Sequence, residues 1–147
     1  MRVTVFGSSS AKTSPLFLIE AKKLGTMLAE RGHVCINGGG KFGVMGALND
    51  SVRAADGQVI GVIHEMWTVD GDEDTLIHNM VTVAGDDLEE RKRQVSAFPL
   101  PPASLPPLDR SLHGPQLLDF GACVITLPGG VGTFDELWDC VCCKVRI

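Results

Sequence analysis

One carboxylate near the C-terminal end stands where it can act on an anionic ligand. Glu136 closes the stretch Pro128-Gly129-Gly130-Val131-Gly132-Thr133-Phe134-Asp135-Glu136, which follows the apolar run Ala122 to Leu127 and leads into Leu137-Trp138-Asp139. The pattern predicts a strand, a glycine turn and a helix start, with Glu136 in the first helical turn. Glycines let a backbone approach a ligand closely. A helix N-terminus adds unpaired N–H groups and the positive end of its dipole. A carboxylate in that position could hold ribose hydroxyls, activate water, or stabilise a cationic sugar as a glycosidic bond breaks. The plain alternative is a common turn followed by an ordinary acidic helix start.

A second glycine stretch, Gly38-Gly39-Gly40-Lys41-Phe42-Gly43-Val44-Met45-Gly46, lies between a strand-like and a helix-like segment. Residues Gly38 to Gly43 match the dinucleotide pattern G-x-G-x-x-G in form. The match is poor for NAD: it falls on the second strand, and the nearest acidic residue for a ribose contact, Glu65, comes late. It is not a P-loop either, because Phe42 stands where Ser or Thr would be needed for magnesium. A nucleoside monophosphate fits these two cradles better than NAD or ATP. Arg91 can bind a phosphate bidentately or fix a ribose hydroxyl. Its surroundings, Glu89-Glu90-Arg91-Lys92-Arg93, also fit a solvated helix face, and the residues alone favour that simpler reading.

The elements that must position these groups alternate along the chain. Residues Arg2 to Phe6 predict a strand, with Gly7-Ser8-Ser9-Ser10 as a small turn. Ser14-Pro15 predicts a capped helix start, and Phe17, Ala21, Leu24 and Leu28 form one apolar stripe over Pro15 to Arg31. Gly32 supplies the stop. His33 to Asn37 predicts a second strand, Ala47 to Ala55 a second helix, Asp56-Gly57 a turn, and Gln58 to Ile63 a third strand. Met80 to Val83 reads as an edge strand or a loop, Asp87 to Val95 as a charged helix, and Gln116 to Phe120 as a helical turn. Such βαβ units imply parallel strands in an α/β, doubly wound sheet whose ligands bind at the strands' C-terminal ends. Both glycine stretches fall at such ends.

The 147 residues, 44% hydrophobic and 21% charged, fit one soluble domain over residues 1–147. A net charge of -5 argues against a nucleic-acid binder, which needs a basic face. No run reaches membrane-span length, and the N-terminus enters a strand directly rather than a signal-peptide layout. Five cysteines without framework spacing suggest reduced thiols in a cytoplasmic setting. Cys140 to Cys143 has C-x-x-C spacing, but no second pair exists to complete a zinc site, and the histidines show no metal-like spacing. No metal is expected. The tract from 97 to 114, rich in proline, reads as an exposed polyproline-like or disordered insert. A proline-motif ligand for a partner domain is its less common alternative.

Taken in order, Phe6 to Ser10, Gly38 to Gly46, Val59 to Ile63, Glu90-Arg91-Lys92 and Pro128 to Glu136 resemble the LOG (lonely guy) family. Members are phosphoribohydrolases that cut cytokinin riboside 5′-monophosphates to free base and ribose 5-phosphate, and they are often mislabelled lysine decarboxylases. The resemblance implies a three-layer Rossmann-like fold, a homodimer, and Arg91 and Glu136 as the catalytic pair. It further implies substrate binding by Gly39, Gly40, Gly43, Met45, Lys92, Gly129, Gly130, Gly132 and Thr133. No organic cofactor or metal would be required, and no residue pattern suggests pyridoxal phosphate.

Two features depart from the family pattern. Val95 stands where a methionine follows the Arg-Lys pair, and the proline-rich tract interrupts a compact connection. Family members also continue past the helix that holds Glu136 through a further strand and helix. The expectation is a shortened or alternatively spliced product, or a tract of translated intron, with Trp138, Val141 and Val145 partly uncovered and the isolated chain prone to aggregate.

Overall fold

The computed structural model describes residues 1–64, 71–77, 79–83 and 123–145. Arg91, Lys92, Glu65, the charged segment Asp87 to Val95, the proline-rich tract 97–114 and the segment Gln116 to Phe120 lie outside them. The described elements are β1 (Arg2–Phe6), α1 (Pro15–Glu30), β2 (Val34–Asn37), α2 (Gly43–Ala54), β3 (Gln58–His64), β4 (Asn79–Val83), β5 (Cys123–Thr126) and α3 (Val131–Val145).

All five strands are parallel, in the order β4-β3-β2-β1-β5. The stretch read as either strand or loop is therefore an edge strand, β4, paired to β3 from Ile60↔Asn79 to His64↔Val83. The last strand, β5, lies on the opposite side of β1, with Val3 against Cys123. Strand order thus reverses at β1, the position where open α/β sheets form their ligand crevice.

Strand side chains alternate between two apolar layers, as the pleat requires. Val3, Val5, Cys35 and Val59 join Ala21, Leu28, Leu48 and Val52 of α1 and α2 on one face. Phe6, Ile36, Ile60 and Val62 form the other layer, against which Cys140 of α3 packs. Helices therefore cover both faces, which gives the three layers expected. Full burial of a side chain such as Leu48 or Val52 contributes roughly 1.5–3 kcal/mol, whereas an exposed pair such as Lys23–Glu20 contributes about 1 kcal/mol at most. Layer packing, rather than surface pairing, dominates stability.

Helix α1 corrects the sequence reading in two places. Phe17 is exposed, and the buried face is Ala21, Gly25 and Leu28. Gly25 is buried because α1 crosses α2 so closely that a Cβ there would overlap Ser51 and meet the Leu48 carbonyl at 2.8 Å. Ser14 occupies the N-cap, yet its side chain makes no capping hydrogen bond. The stop at Gly32 is as expected: His33 N–H donates to the Leu28 carbonyl and Gly32 N–H to that of Ala29, both at 2.9 Å, the paired bonds of a Schellman end.

Helix α2 begins at Gly43, four residues before the expected Ala47. The reason is tertiary. Phe42 at the N-cap makes no side-chain cap, but the Met45 N–H donates to the Ser8 carbonyl at 3.2 Å, so the turn after β1 satisfies a first-turn donor that would otherwise be orphaned. Glycines that look like loop from sequence are thereby held as helix.

Candidate active site

Three turns meet at the C-terminal ends of β1, β2 and β5. The Ser8 N–H donates to the Pro128 carbonyl at 3.2 Å, while the Ser8 carbonyl accepts from Met45. One peptide neighbourhood therefore joins the Pro128 to Gly132 turn to the start of α2. Gly43, at φ 62°, lies directly against this junction: a Cβ there would come within 2.6 Å of the Ser8 carbonyl and 2.8 Å of that of Ser10. The left-handed backbone and the lack of space both exclude a side chain. Ser8 is itself pinned, since its Oγ accepts from the Ser10 N–H at 3.1 Å and from the Thr13 hydroxyl at 2.9 Å.

These turns enclose a cavity of about 420 Å³, within the range of small-molecule sites. Gly7 to Ser10 form one wall. Gly38, Gly40, Phe42 and Met45 form a second, and Gly130, Gly132, Thr133 and Glu136 a third, with Ile63 and Asp72 at the margin. Among the described residues the charged lining consists of Asp72 and Glu136, both acidic.

Of the residues singled out from sequence, Gly40, Met45, Gly130, Gly132, Thr133 and Glu136 reach this one cavity. Gly39 and Gly129 do not line it, and Gly129 opens instead on an adjoining cavity. A Cβ on Gly39 would meet the Met80 sulfur at 2.9 Å, and one on Gly129 would overlap Thr133, whose buried side chain braces the turn. Gly43 is the junction already described. Arg91 and Lys92 lie outside the described residues.

Glu136 lies one turn deeper in the helix than expected. Helix α3 starts at Val131, within the glycine stretch, and its first turn holds no acidic residue. The Phe134 N–H already donates to the Gly130 carbonyl at 3.2 Å. The N-terminus of α3 therefore opens at Gly130 to Gly132, and Glu136 flanks that opening from the second turn.

From sequence Gly7 to Ser10 is a simple turn, and nothing marks Phe42, Ile63 or Asp72. The available signal was position, since the serine turn ends β1 just as the glycine stretches end β2 and β5. Asp72 carried no such signal, because it belongs to the irregular segment after β3.

Gly130 and Gly132 differ from the other site glycines: neither has a positive φ, and a Cβ on either meets nothing within 4 Å. The fold does not require them. Gly132→Ala should leave the melting temperature unchanged or raise it slightly, since alanine in a helix is favoured over glycine by roughly 0.5–1 kcal/mol. Gly132 lines the cavity, and a methyl at this turn should weaken AMP binding measured by calorimetry by roughly tenfold. Equal AMP affinity in both chains would show that ligand does not approach this turn.

No described cysteine lines the cavity. Burial pushes the Cys35 thiol up to about 12, with the Asn37 side chain pulling weakly the other way, so it stays protonated and inert. Cys123 is exposed and Cys140 is half-buried. Among the described residues no three His, Cys, Asp or Glu side chains come together as metal ligands, and no helix is long and apolar enough to cross a membrane.

The sequence profile described as the SLOG cluster4 family matches residues 1–95. The chain belongs to the SLOG cluster4 family. Curated relatives include a cytokinin riboside 5′-monophosphate phosphoribohydrolase from Mycobacterium marinum, 33% identical over 89% of this chain and 57% of that protein. Another, of the same name, from Mycobacterium tuberculosis is 34% identical over 93% of this chain and 60% of that protein. The chain thus spans somewhat more than half the length of these curated relatives. Among solved structures, the Moco carrier protein of Chlamydomonas reinhardtii superimposes with a TM-score of 0.64 at 19% identity, over 97% of this chain and 71% of that one. That likeness concerns the fold.

Proposed function

We propose that this SLOG member hydrolyses the N-glycosidic bond of a purine nucleoside 5′-monophosphate of cytokinin type. The observation that carries the reading is the position of Glu136, whose carboxylate lines a nucleotide-sized cavity walled by all three strand-end turns. The same fold serves carriers as well as hydrolases, so the carboxylate rather than the fold supports catalysis. The activity for which these relatives are named agrees with this assignment.

In this reading the phosphate is held by the Gly130 to Gly132 turn and the open end of α3, where backbone N–H groups and the helix dipole favour an anion. The described lining carries no cation, so Arg91 and Lys92, assigned on the family resemblance, supply the positive charge. Water oxygen bonds to C1′ of the ribose and gives up a proton, the C1′–N bond breaks with its electron pair leaving on the base, and the base takes up one proton in turn. Glu136 stabilises the positive charge that develops on the sugar. No metal or organic cofactor enters this scheme.

The test is incubation with isopentenyladenosine monophosphate and with AMP, followed by chromatography for free base and ribose 5-phosphate. Release by the unsubstituted chain supports the proposal. Saturable AMP binding without turnover would replace it with a non-catalytic nucleotide-binding module.

The functional unit in this proposal is a homodimer. Val131, Phe134, Trp138 and Val141 recur at helical spacing on α3, and all are exposed, Phe134 at 70% and Trp138 at 64%. A contiguous apolar stripe on a soluble chain marks a contact surface. Val145 belongs to the same helix, but its side chain lies outside the described residues. Analytical ultracentrifugation should find a dimer that Phe134→Glu/Trp138→Glu converts to monomer. A dimer that persists in the double variant would place the contact elsewhere.

A further inference from the structure

Behind the Gly38 to Gly40 wall runs a chain of buried polar groups that never reaches the cavity. Asn37 and Asn49 are fully buried and Asp74 nearly so. The Asn49 amide donates to the Gly40 carbonyl and to Asp74 Oδ2, both at 3.2 Å. Its oxygen accepts from the Asn37 amide at 2.7 Å. Asn37 Oδ1 in turn accepts the Gly39 N–H at 2.8 Å, and the Asp74 N–H donates to the Gly39 carbonyl at 2.8 Å. Arg53 closes the chain with a 2.7 Å ion pair to Asp74 Oδ2.

Three backbone groups of the glycine wall, the Gly39 N–H, the Gly39 carbonyl and the Gly40 carbonyl, are thus fixed from behind. The fixing groups come from the end of β2, the middle of α2 and the segment after β3. Buried polar groups cost stability unless every partner is present. An apolar residue at position 49 would take a partner from the Asn37 amide, the Gly40 carbonyl and Asp74 at once, so the asparagine and the backbone it fixes stand or fall together.

We infer that Asn37, Asn49 and Asp74 are positioning residues that hold the Gly39-Gly40 backbone in the shape that receives the nucleotide. The Asn49 amide hydrogens supply both donor contacts, to the Gly40 carbonyl and to Asp74. In Asn49→Asp the two donors become a second carboxylate facing Asp74 and the Gly40 carbonyl, at nearly unchanged volume. Adding Asp74→Asn removes the like-charge contact and restores a donor–acceptor pair across the same gap.

The inference rests on the proposed nucleotide site for its ligand readout, so the test has one arm that needs no ligand. Amide hydrogen exchange over residues 38–42 is measured by mass spectrometry in the full chain, together with AMP affinity and melting temperature. The variants are Asn49→Asp, Asn49→Asp/Asp74→Asn, and Val52→Ala as a core control on the same helix.

Exchange at 38–42 should rise in Asn49→Asp and fall back part-way in the double variant, while Val52→Ala, though less stable, leaves the segment protected. AMP affinity should drop by about tenfold in Asn49→Asp and recover in part in the double variant, where the Gly40 carbonyl still lacks its donor. Equal exchange at 38–42 in Asn49→Asp and the parent would overturn the inference, as would the same rise in Val52→Ala. If the parent fails to bind AMP, the proposed function fails, and the exchange arm still decides the positioning role.

Discussion

Glu136→Gln is expected to cut the release of free base from isopentenyladenosine monophosphate by at least about 10²-fold, the lower end of what one electrostatic contact to a developing charge contributes. Glutamine keeps the length of the side chain and a hydrogen-bonding oxygen, but it carries neither negative charge nor a basic oxygen. Ribose contacts made through hydrogen bonds would survive the change. Stabilisation of a cationic sugar would not. AMP affinity should therefore stay within a few-fold of the parent, and Glu136→Asp, which retains the charge on a shorter stem, should recover part of the rate. Parental turnover in Glu136→Gln would remove Glu136 from the chemistry. A loss of binding as large as the loss of turnover would instead make it a ribose anchor.

The second large effect concerns the fold at the site. Gly43→Ala combines a left-handed φ of 62° with a Cβ 2.6 Å from one backbone carbonyl and 2.8 Å from another. The Ser8 carbonyl cannot withdraw without breaking its bond to Met45. Backbone strain and overpacking together should cost on the order of 3 kcal/mol, which for a chain of this size lowers the melting temperature by about 10 °C. Far-UV circular dichroism measures it directly. A melt within about 2 °C of the parent would mean that the junction relaxes freely, given the usual 2–4 °C per kcal/mol. The contrast with Gly132→Ala is informative, because the two substitutions have the same chemistry and opposite expected effects on stability.

Strand and helix alternation was legible because apolar periodicity follows directly from burial: Val3, Val5, Cys35 and Val59 lie where the pleat puts them. What sequence could not reveal were features created by another part of the chain. Gly25 is buried and Phe17 exposed because α2 approaches α1 at one point, and counting apolar residues rewards the larger side chain. The early start of α2 depends on a carbonyl from the β1 turn, and intrinsic propensity alone argues against a helix opening Gly-Val-Met-Gly. Glu136 was assigned one turn too shallow for a related reason: Val131 and Gly132 read as turn, yet they are already helical. Asp72 reaches the cavity from a segment without periodicity, where side-chain direction is set only by tertiary contacts such as the Lys41 N–H donating to the Asp72 carbonyl at 3.0 Å.

The pairing of β1 with β5 has a consequence for the order in which the chain acquires its chemistry. β1 to β4 and the two helices between the first three strands come from one continuous stretch, whereas β5 joins the first strand from the far end of the sequence. Closing that long loop carries an entropy cost that the nearer pairings do not bear. During synthesis, the serine turn and the Gly38 to Gly46 wall can form while the Pro128 turn is still in the ribosome. The wall that carries Glu136 is the last part of the cavity to be synthesised, and it joins the rest only through the pairing of β5 with β1.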